Sequence, residues 1–100
     1  MSAVSDLLAD LVAIDSVNPD LVPGGAGEAE LARFAGGWLE RAGLDVTLAE
    51  VAPDRLNVVG VARGSGGGRS LLLNAHLDTV GHEGMQDGLT DALTTWFGKA

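Results

Sequence analysis

Apolar and polar residues alternate with the period of a helix in the first segment of the chain. Over residues 5–14 the leucines and valine recur about every three to four positions, which predicts an amphipathic helix with Ser5 as its N-cap. Asn18-Pro19 should stop this helix, because the residue before a proline avoids the helical backbone region. Residues 20–27 are rich in glycine and are therefore predicted to form a loop.

A second helix is predicted from Glu28 to residue 42. Its apolar positions follow the spacing of one buried face, namely Leu31, Phe34, Ala35, Trp38, Leu39 and Ala42. Gly43 is well placed to end the helix, since glycine readily adopts the left-handed conformation that closes helices. Gly36 and Gly37 lie in its middle, where each costs about 1 kcal/mol in helix propensity. We expect close packing or a local bend at this point.

Beyond the second helix the period changes to two, which is typical of strands. Residues 44–49 and 56–62 predict two strands, and residues 70–75 (SLLLNA) predict a third that is apolar enough to be central in a sheet. The glycine-rich residues 64–68 predict a hairpin between the second and third strands. Residues 90–97 predict a short helix. The order of elements indicates an α/β fold.

Charge and composition narrow the classes of function. The 100 residues include 14 acidic and 6 basic side chains, for a net charge of −8. Such a charge repels phosphate backbones and anionic lipid, so neither a nucleic acid nor a membrane surface is an expected partner. The chain has no cysteine, which excludes disulfides and thiolate chemistry. No secretory signal or membrane span is visible, so we expect a cytoplasmic protein.

One pair of residues could carry chemistry. His76 follows the third predicted strand, and Asp78 stands two positions later. In extended backbone, residues two apart point to the same side, so the imidazole and the carboxylate should lie next to each other. A metal-bound histidine commonly donates its second ring N–H to a carboxylate. The spacing alone more often marks a hydrogen-bonded pair at the end of a strand with no metal.

The residues around this pair carry a family resemblance. Residues 71–81 read LLLNAHLDTVG, which resembles the first metal motif of a zinc-dependent hydrolase family. That family contains acetylornithine deacetylase, succinyl-diaminopimelate desuccinylase, aminoacylase and bacterial carboxypeptidases. The resemblance extends over residues 5–85, and includes the Ser-Xaa-Asn-Pro turn at residues 16–19 and the hairpin that leads into the metal strand.

The resemblance implies a fold, a reaction and two site residues. The fold would be the N-terminal portion of a three-layer α/β/α catalytic domain. His76 would be a ligand of one ion in a two-zinc centre, with cobalt or manganese as possible substitutes. Asp78 would hold the histidine and is counted among the family's catalytic residues. The reaction would be hydrolysis of an amide or peptide bond, in an N-acyl amino acid or a short peptide.

Several family features are absent from the sequence. The glycine-rich Asp-Met-Lys-Gly motif, the Glu-Glu pair and the distant histidine ligand do not occur, and residues 86–100 diverge from the family pattern. His82 and Glu83 are the only further ligand types nearby, and we expect both to lie in a solvated loop. We therefore expect residues 1–100 to be a partial catalytic domain, shortened by a frameshift or an early stop and inactive by itself.

A protein of another class fits the same sequence. The chain could be a non-catalytic truncated product or an interaction module without metal chemistry. A partial sheet exposes strand edges and apolar faces, and these favour self-association or a homo-oligomer.

Overall fold

The computed structural model describes residues 2–81 as a small mixed α/β fold, which confirms the predicted class. Two helices come first, α1 (Ala3–Ala13) and α2 (Ala29–Arg41). Two strands follow, β1 (Asp45–Ala52) and β2 (Arg55–Val61), and they form an antiparallel sheet. The α2 helix packs against both strands of this sheet, whereas α1 contacts α2.

The start of α1 differs from the predicted one because two serines share the cap. Ser2, and not Ser5, is the N-cap, and its hydroxyl accepts a hydrogen bond of 3.1 Å from the Ser5 backbone N–H. The Ser5 hydroxyl in turn accepts one of 3.0 Å from the Ser2 backbone N–H. This reciprocal arrangement satisfies two N–H groups that would otherwise lack partners, so the helix begins earlier than predicted.

The end of α2 lies at Gly43, as predicted. Gly43 has a φ of 95°, in the left-handed region that favours glycine. Its N–H donates to the Glu40 carbonyl at 3.0 Å, and the Leu44 N–H donates to the Leu39 carbonyl at 3.1 Å. These two bonds form a Schellman motif, which satisfies carbonyls at the helix end and turns the chain into β1.

The buried face of α2 matches the predicted one only in part, since Leu31 is buried as predicted but Ala42 is exposed. Trp38, expected in the core, is 42% exposed. The helix residues that are buried are mostly small, namely Ala29, Leu31, Ala32 and Gly36. The prediction was wrong at Trp38 because small side chains allow the helix backbone closer to the sheet, which leaves the bulky aromatic at the margin of the contact.

Gly36 lies in close contact with the sheet. A Cβ atom placed there would lie 3.3 Å from Leu48 Cδ2 and 3.4 Å from Val46 Cγ1. At Gly37 the nearest atom is the end of the flexible Arg41 side chain, 3.2 Å away. The predicted close packing is therefore confirmed at Gly36, whereas Gly37 faces away from the sheet.

The hairpin of the structure joins β1 and β2. Leu48 lies opposite Val58, and the chain reverses at Pro53-Asp54, where Asp54 has a left-handed φ of 58°. Aspartate tolerates this conformation better than most residues, because its short side chain bonds locally to the backbone. The hairpin predicted at residues 64–68 is not formed.

The predicted third strand is not formed. Residues 70–75 belong to no strand in the part of the chain that the structure describes. The three leucines of this segment are 83–85% exposed, namely Leu71, Leu72 and Leu73. A strand requires a neighbouring backbone to pair with, and the glycine-rich segment before residue 70 does not bring this one against β2.

The predicted helix over residues 90–97 lies outside the described residues, as do His82 and Glu83.

Among residues 2–81, neither helix has the length and apolar character needed to cross a bilayer.

We expect a Gly36→Val substitution to lower the free energy of unfolding by about 1–3 kcal/mol, because the added side chain overpacks the contact with Val46 and Leu48. Gly37→Val is the matched control, and it should leave the free energy of unfolding unchanged or raise it by less than about 1 kcal/mol, because only the flexible Arg41 side chain is near that position. Urea titrations followed by far-UV circular dichroism measure both. Equal effects at the two positions would contradict the observed packing of α2.

Candidate metal-ligand site

A backbone bridge positions the segment that carries His76 and Asp78. Val17 and Thr79 form an isolated parallel bridge. The Thr79 N–H donates to the Ser16 carbonyl at 3.0 Å, and the Asn18 N–H donates to the Thr79 carbonyl at 2.9 Å. The segment is thereby fixed beside the loop that follows α1, although it belongs to no regular sheet.

Leu77 anchors the same segment to the core. It is partly buried and packs against a cluster of three buried residues, namely Ala29, Ala32 and Leu56. Because successive side chains of an extended backbone point to opposite sides, burial of Leu77 directs its two neighbours, His76 and Asp78, away from the cluster.

The structure places the imidazole and the carboxylate together, as their spacing predicts. His76 Nδ1 lies 3.2 Å from Asp78 Oδ1. It lies closer still, at 2.7 Å, to the backbone carbonyl oxygen of Asp78. A carbonyl oxygen only accepts hydrogen bonds, so Nδ1 must be the donor. The backbone carbonyl of Asp78 therefore helps its carboxylate to fix the tautomer of His76. The spacing of the two residues predicts only the contribution of the carboxylate.

The other ring nitrogen of His76 has no hydrogen-bond partner within residues 2–81. With the proton on Nδ1, the neutral imidazole has its lone pair on Nε2. The His76 side chain is 84% exposed, whereas that of Asp78 is 29% exposed. A neutral, oriented imidazole with an accessible nitrogen is the form of histidine that ligates metals.

Asn18 completes the arrangement, and sequence reasoning missed it. Its Nδ2 donates to Asp78 Oδ2 at 2.7 Å, across 60 positions of the chain. Both carboxylate oxygens of Asp78 are therefore engaged, one toward His76 and one toward Asn18. The sequence indicates Asn18 as a helix stop and as part of a Ser-Xaa-Asn-Pro turn, and no local spacing connects it to Asp78.

The described residues contain one candidate metal ligand and not a complete site. A catalytic zinc ion takes three protein ligands and a water. Within residues 2–81, no group of three or more histidine, cysteine, aspartate or glutamate side chains is close enough together to hold a metal. His76 therefore fits the role of a single ligand, and Asp78 fits that of the carboxylate that orients it.

An open groove of about 280 Å³ borders His76. One wall consists of four consecutive β2 residues, 56–59, and the other consists of residues 74–78. Glu28 also lines the groove. The groove offers an extended space beside the exposed imidazole.

An ion-pair cluster secures the loop between α1 and α2 to the start of β2. Arg55 Nε lies 2.9 Å and 3.0 Å from the two carboxylate oxygens of Glu28, and an Arg55 terminal nitrogen lies 3.1 Å from Asp20 Oδ2. Glu28 is buried. Hydrogen bonds to Glu28, and then to Asp20, raise the pKa of the Arg55 guanidinium. Because a raised pKa favours the charged form of a base, Arg55 keeps its full contribution to stability at neutral pH and below its ordinary pKa.

Fold and site together define a small mixed α/β protein with an accessible, oriented histidine. No protein-family model matches the chain. The search of solved structures likewise found no significant match.

We expect Arg55→Leu to destabilise the protein clearly more than Arg63→Leu. Loss of Arg55 leaves the buried Glu28 carboxylate without its partner, which is costly. Arg63 pairs with Asp45 at 2.9 Å, but both side chains are well exposed, and such pairs contribute little. The urea midpoints of the two variants measure the difference. A midpoint for Arg55→Leu equal to that of Arg63→Leu would show that the cluster does not stabilise the loop.

Proposed function

We propose that the chain contributes to a cytoplasmic zinc-dependent hydrolase of amide or peptide bonds, with His76 as one zinc ligand. The supporting observation is the hydrogen bonding of His76, whose Nδ1 is held by Asp78 while Nε2 is left accessible. The resemblance of residues 71–81 to the first metal motif of the acetylornithine deacetylase family points to the same chemistry. On this proposal, α1, α2 and the sheet are the N-terminal part of a three-layer α/β/α domain.

Each residue of the pair has a defined task in this proposal. His76 supplies a neutral Nε2 lone pair, and Asp78 holds the opposite edge of the ring. Because a carboxylate near Nδ1–H stabilises positive charge on the imidazole, it strengthens the ligand. Zinc held by His76 would polarise the scissile carbonyl and acidify a water molecule. The other ligands of the two-zinc centre would come from outside residues 2–81.

The proposed substrates are N-acyl amino acids or short peptides. The groove between β2 and residues 74–78 supports a small substrate, because it borders His76 and has a volume of about 280 Å³. The lining of the groove is apolar at Leu56, Val58 and Leu77 and polar at Asn57 and Asn74. Ligand sites typically combine these two characters.

We expect the chain to bind zinc with micromolar or weaker affinity and to show no hydrolase activity, because His76 alone does not complete a site. His76→Ala should weaken the binding by roughly tenfold or more. Isothermal titration with zinc chloride gives the affinity, and the ¹⁵N shift of His76 Nε2 identifies the bound atom.

The matched control is His82→Ala, since His82 is the other histidine of the chain. It should leave the zinc affinity unchanged. Equal zinc binding in His76→Ala and in the unaltered chain would remove His76 as a ligand. Nanomolar binding at one stoichiometric site would contradict the expectation that the site is incomplete.

A second candidate function is self-association without metal chemistry. Leu71, Leu72 and Leu73 are consecutive and 83–85% exposed, an unusual amount of adjacent apolar surface. Residues 70–75 carry no charged side chain, so two copies could approach there despite the net charge of −8. The segment has no strand partner within residues 2–81, which leaves its backbone available for pairing with a second copy.

We expect the apparent mass in size-exclusion chromatography to rise with protein concentration if this surface associates. Leu72→Glu should abolish the rise, because it places a charge in the centre of the apolar segment. Val4→Glu is the control, since Val4 is 75% exposed on α1, and it should behave as the unaltered chain. A chain that remains monomeric at every concentration would exclude the second candidate function.

A further inference from the structure

The side-chain amide of Asn18 has a determined orientation. Its Oδ1 accepts a hydrogen bond of 2.8 Å from the Asp20 backbone N–H. Because Oδ1 is engaged there, the NH₂ group must point the other way, toward Asp78 Oδ2 at 2.7 Å. The Asn18 backbone is held independently, by its N–H bond to the Thr79 carbonyl. Asn18 thus presents a fixed donor to Asp78.

That donor determines which way the carboxylate faces. Asp78 Oδ2 is held by Asn18, which leaves Oδ1 directed at His76 Nδ1, 3.2 Å away. Without Asn18, the carboxylate of Asp78 could rotate away into solvent, since nothing else among residues 2–81 bonds to its Oδ2. The contact joins the turn after α1 to the candidate metal ligand through one carboxylate.

We propose that Asn18 is a positioning residue for His76. Its amide NH₂ holds the Asp78 carboxylate so that Oδ1 stays 3.2 Å from His76 Nδ1. The negative charge there favours the proton on Nδ1, which donates to the Asp78 carbonyl, and this keeps the Nε2 lone pair available. The relevance to zinc rests on the proposed function, but the effect on the tautomer does not require a metal.

Asn18→Asp tests the proposal, because it retains the acceptor for Asp20 and replaces the donor to Asp78 by a carboxylate oxygen. Repulsion between the two carboxylates should rotate Asp78 away. The ring ¹⁵N shifts of His76, measured without metal at a pH where the ring is neutral, should then show loss of the Nδ1–H tautomer. The zinc affinity should fall roughly tenfold.

Two further variants separate positioning from simple structural damage. In Asp78→Asn the introduced amide must accept from Asn18, so its NH₂ faces His76 and disfavours the Nδ1–H tautomer. Combining Asn18→Asp with Asp78→Asn reverses donor and acceptor, turns the amide oxygen toward His76 and should restore that tautomer. Only a directional hydrogen bond predicts that the double variant recovers what each single variant loses.

Ser65→Asp is the control, since it adds the same negative charge at an exposed position outside the groove that borders His76. It should leave the His76 shifts unchanged. If the Nδ1–H tautomer persists in Asn18→Asp, the backbone carbonyl of Asp78 fixes it alone and the proposal is wrong. If the tautomer responds but zinc does not bind through His76, the positioning role stands and the proposed hydrolase function is wrong. Failure of the double variant to restore the tautomer would also overturn the proposal.

Discussion

The backbone bridge between Val17 and Thr79 holds the candidate chemistry of this protein in place. It consists of two hydrogen bonds, and it fixes a segment that forms no regular sheet against the turn after α1. The side-chain bond from Asn18 to Asp78 lies directly beside it, so the same turn orients both backbone and carboxylate. The position of His76 depends on the bridge and on the Asn18 side-chain bond. Its ring is highly exposed, and within the described residues its Nδ1 bonds only to Asp78.

The loop between α1 and α2 is held by close packing at Gly25 and by the ion pair of Glu28 with Arg55. A Cβ atom at Gly25 would lie 2.5 Å from the Val17 carbonyl oxygen, so only glycine allows the loop to close over Val17. At the other end of the loop, Arg55 holds Glu28 against the start of β2. A buried carboxylate requires such a partner, since its charge has lost most of its water. The loop is therefore tied at both ends, although it has no regular secondary structure.

Sequence reasoning located part of the candidate site. The adjacency of His76 and Asp78 follows from their spacing of two, because an extended backbone repeats with that period. The role of Asn18 could not be inferred in this way, since it lies 60 positions from Asp78 and the contact exists only after the chain has folded. The part played by the Asp78 carbonyl was missed for a related reason, because the backbone of every residue carries the same acceptor and leaves no mark in a sequence.

The sequence by itself determined the features that depend on neighbouring residues. The end of α2 at Gly43 and the strand character of β1 and β2 are of this kind, because backbone preference and side-chain period act over a few positions. Only the tertiary structure decided which face of α2 is buried, since the close approach at Gly36 depends on the sheet. It also decided that residues 70–75 form no strand among the described residues, because an apolar run becomes a strand only where another backbone supplies hydrogen bonds to it.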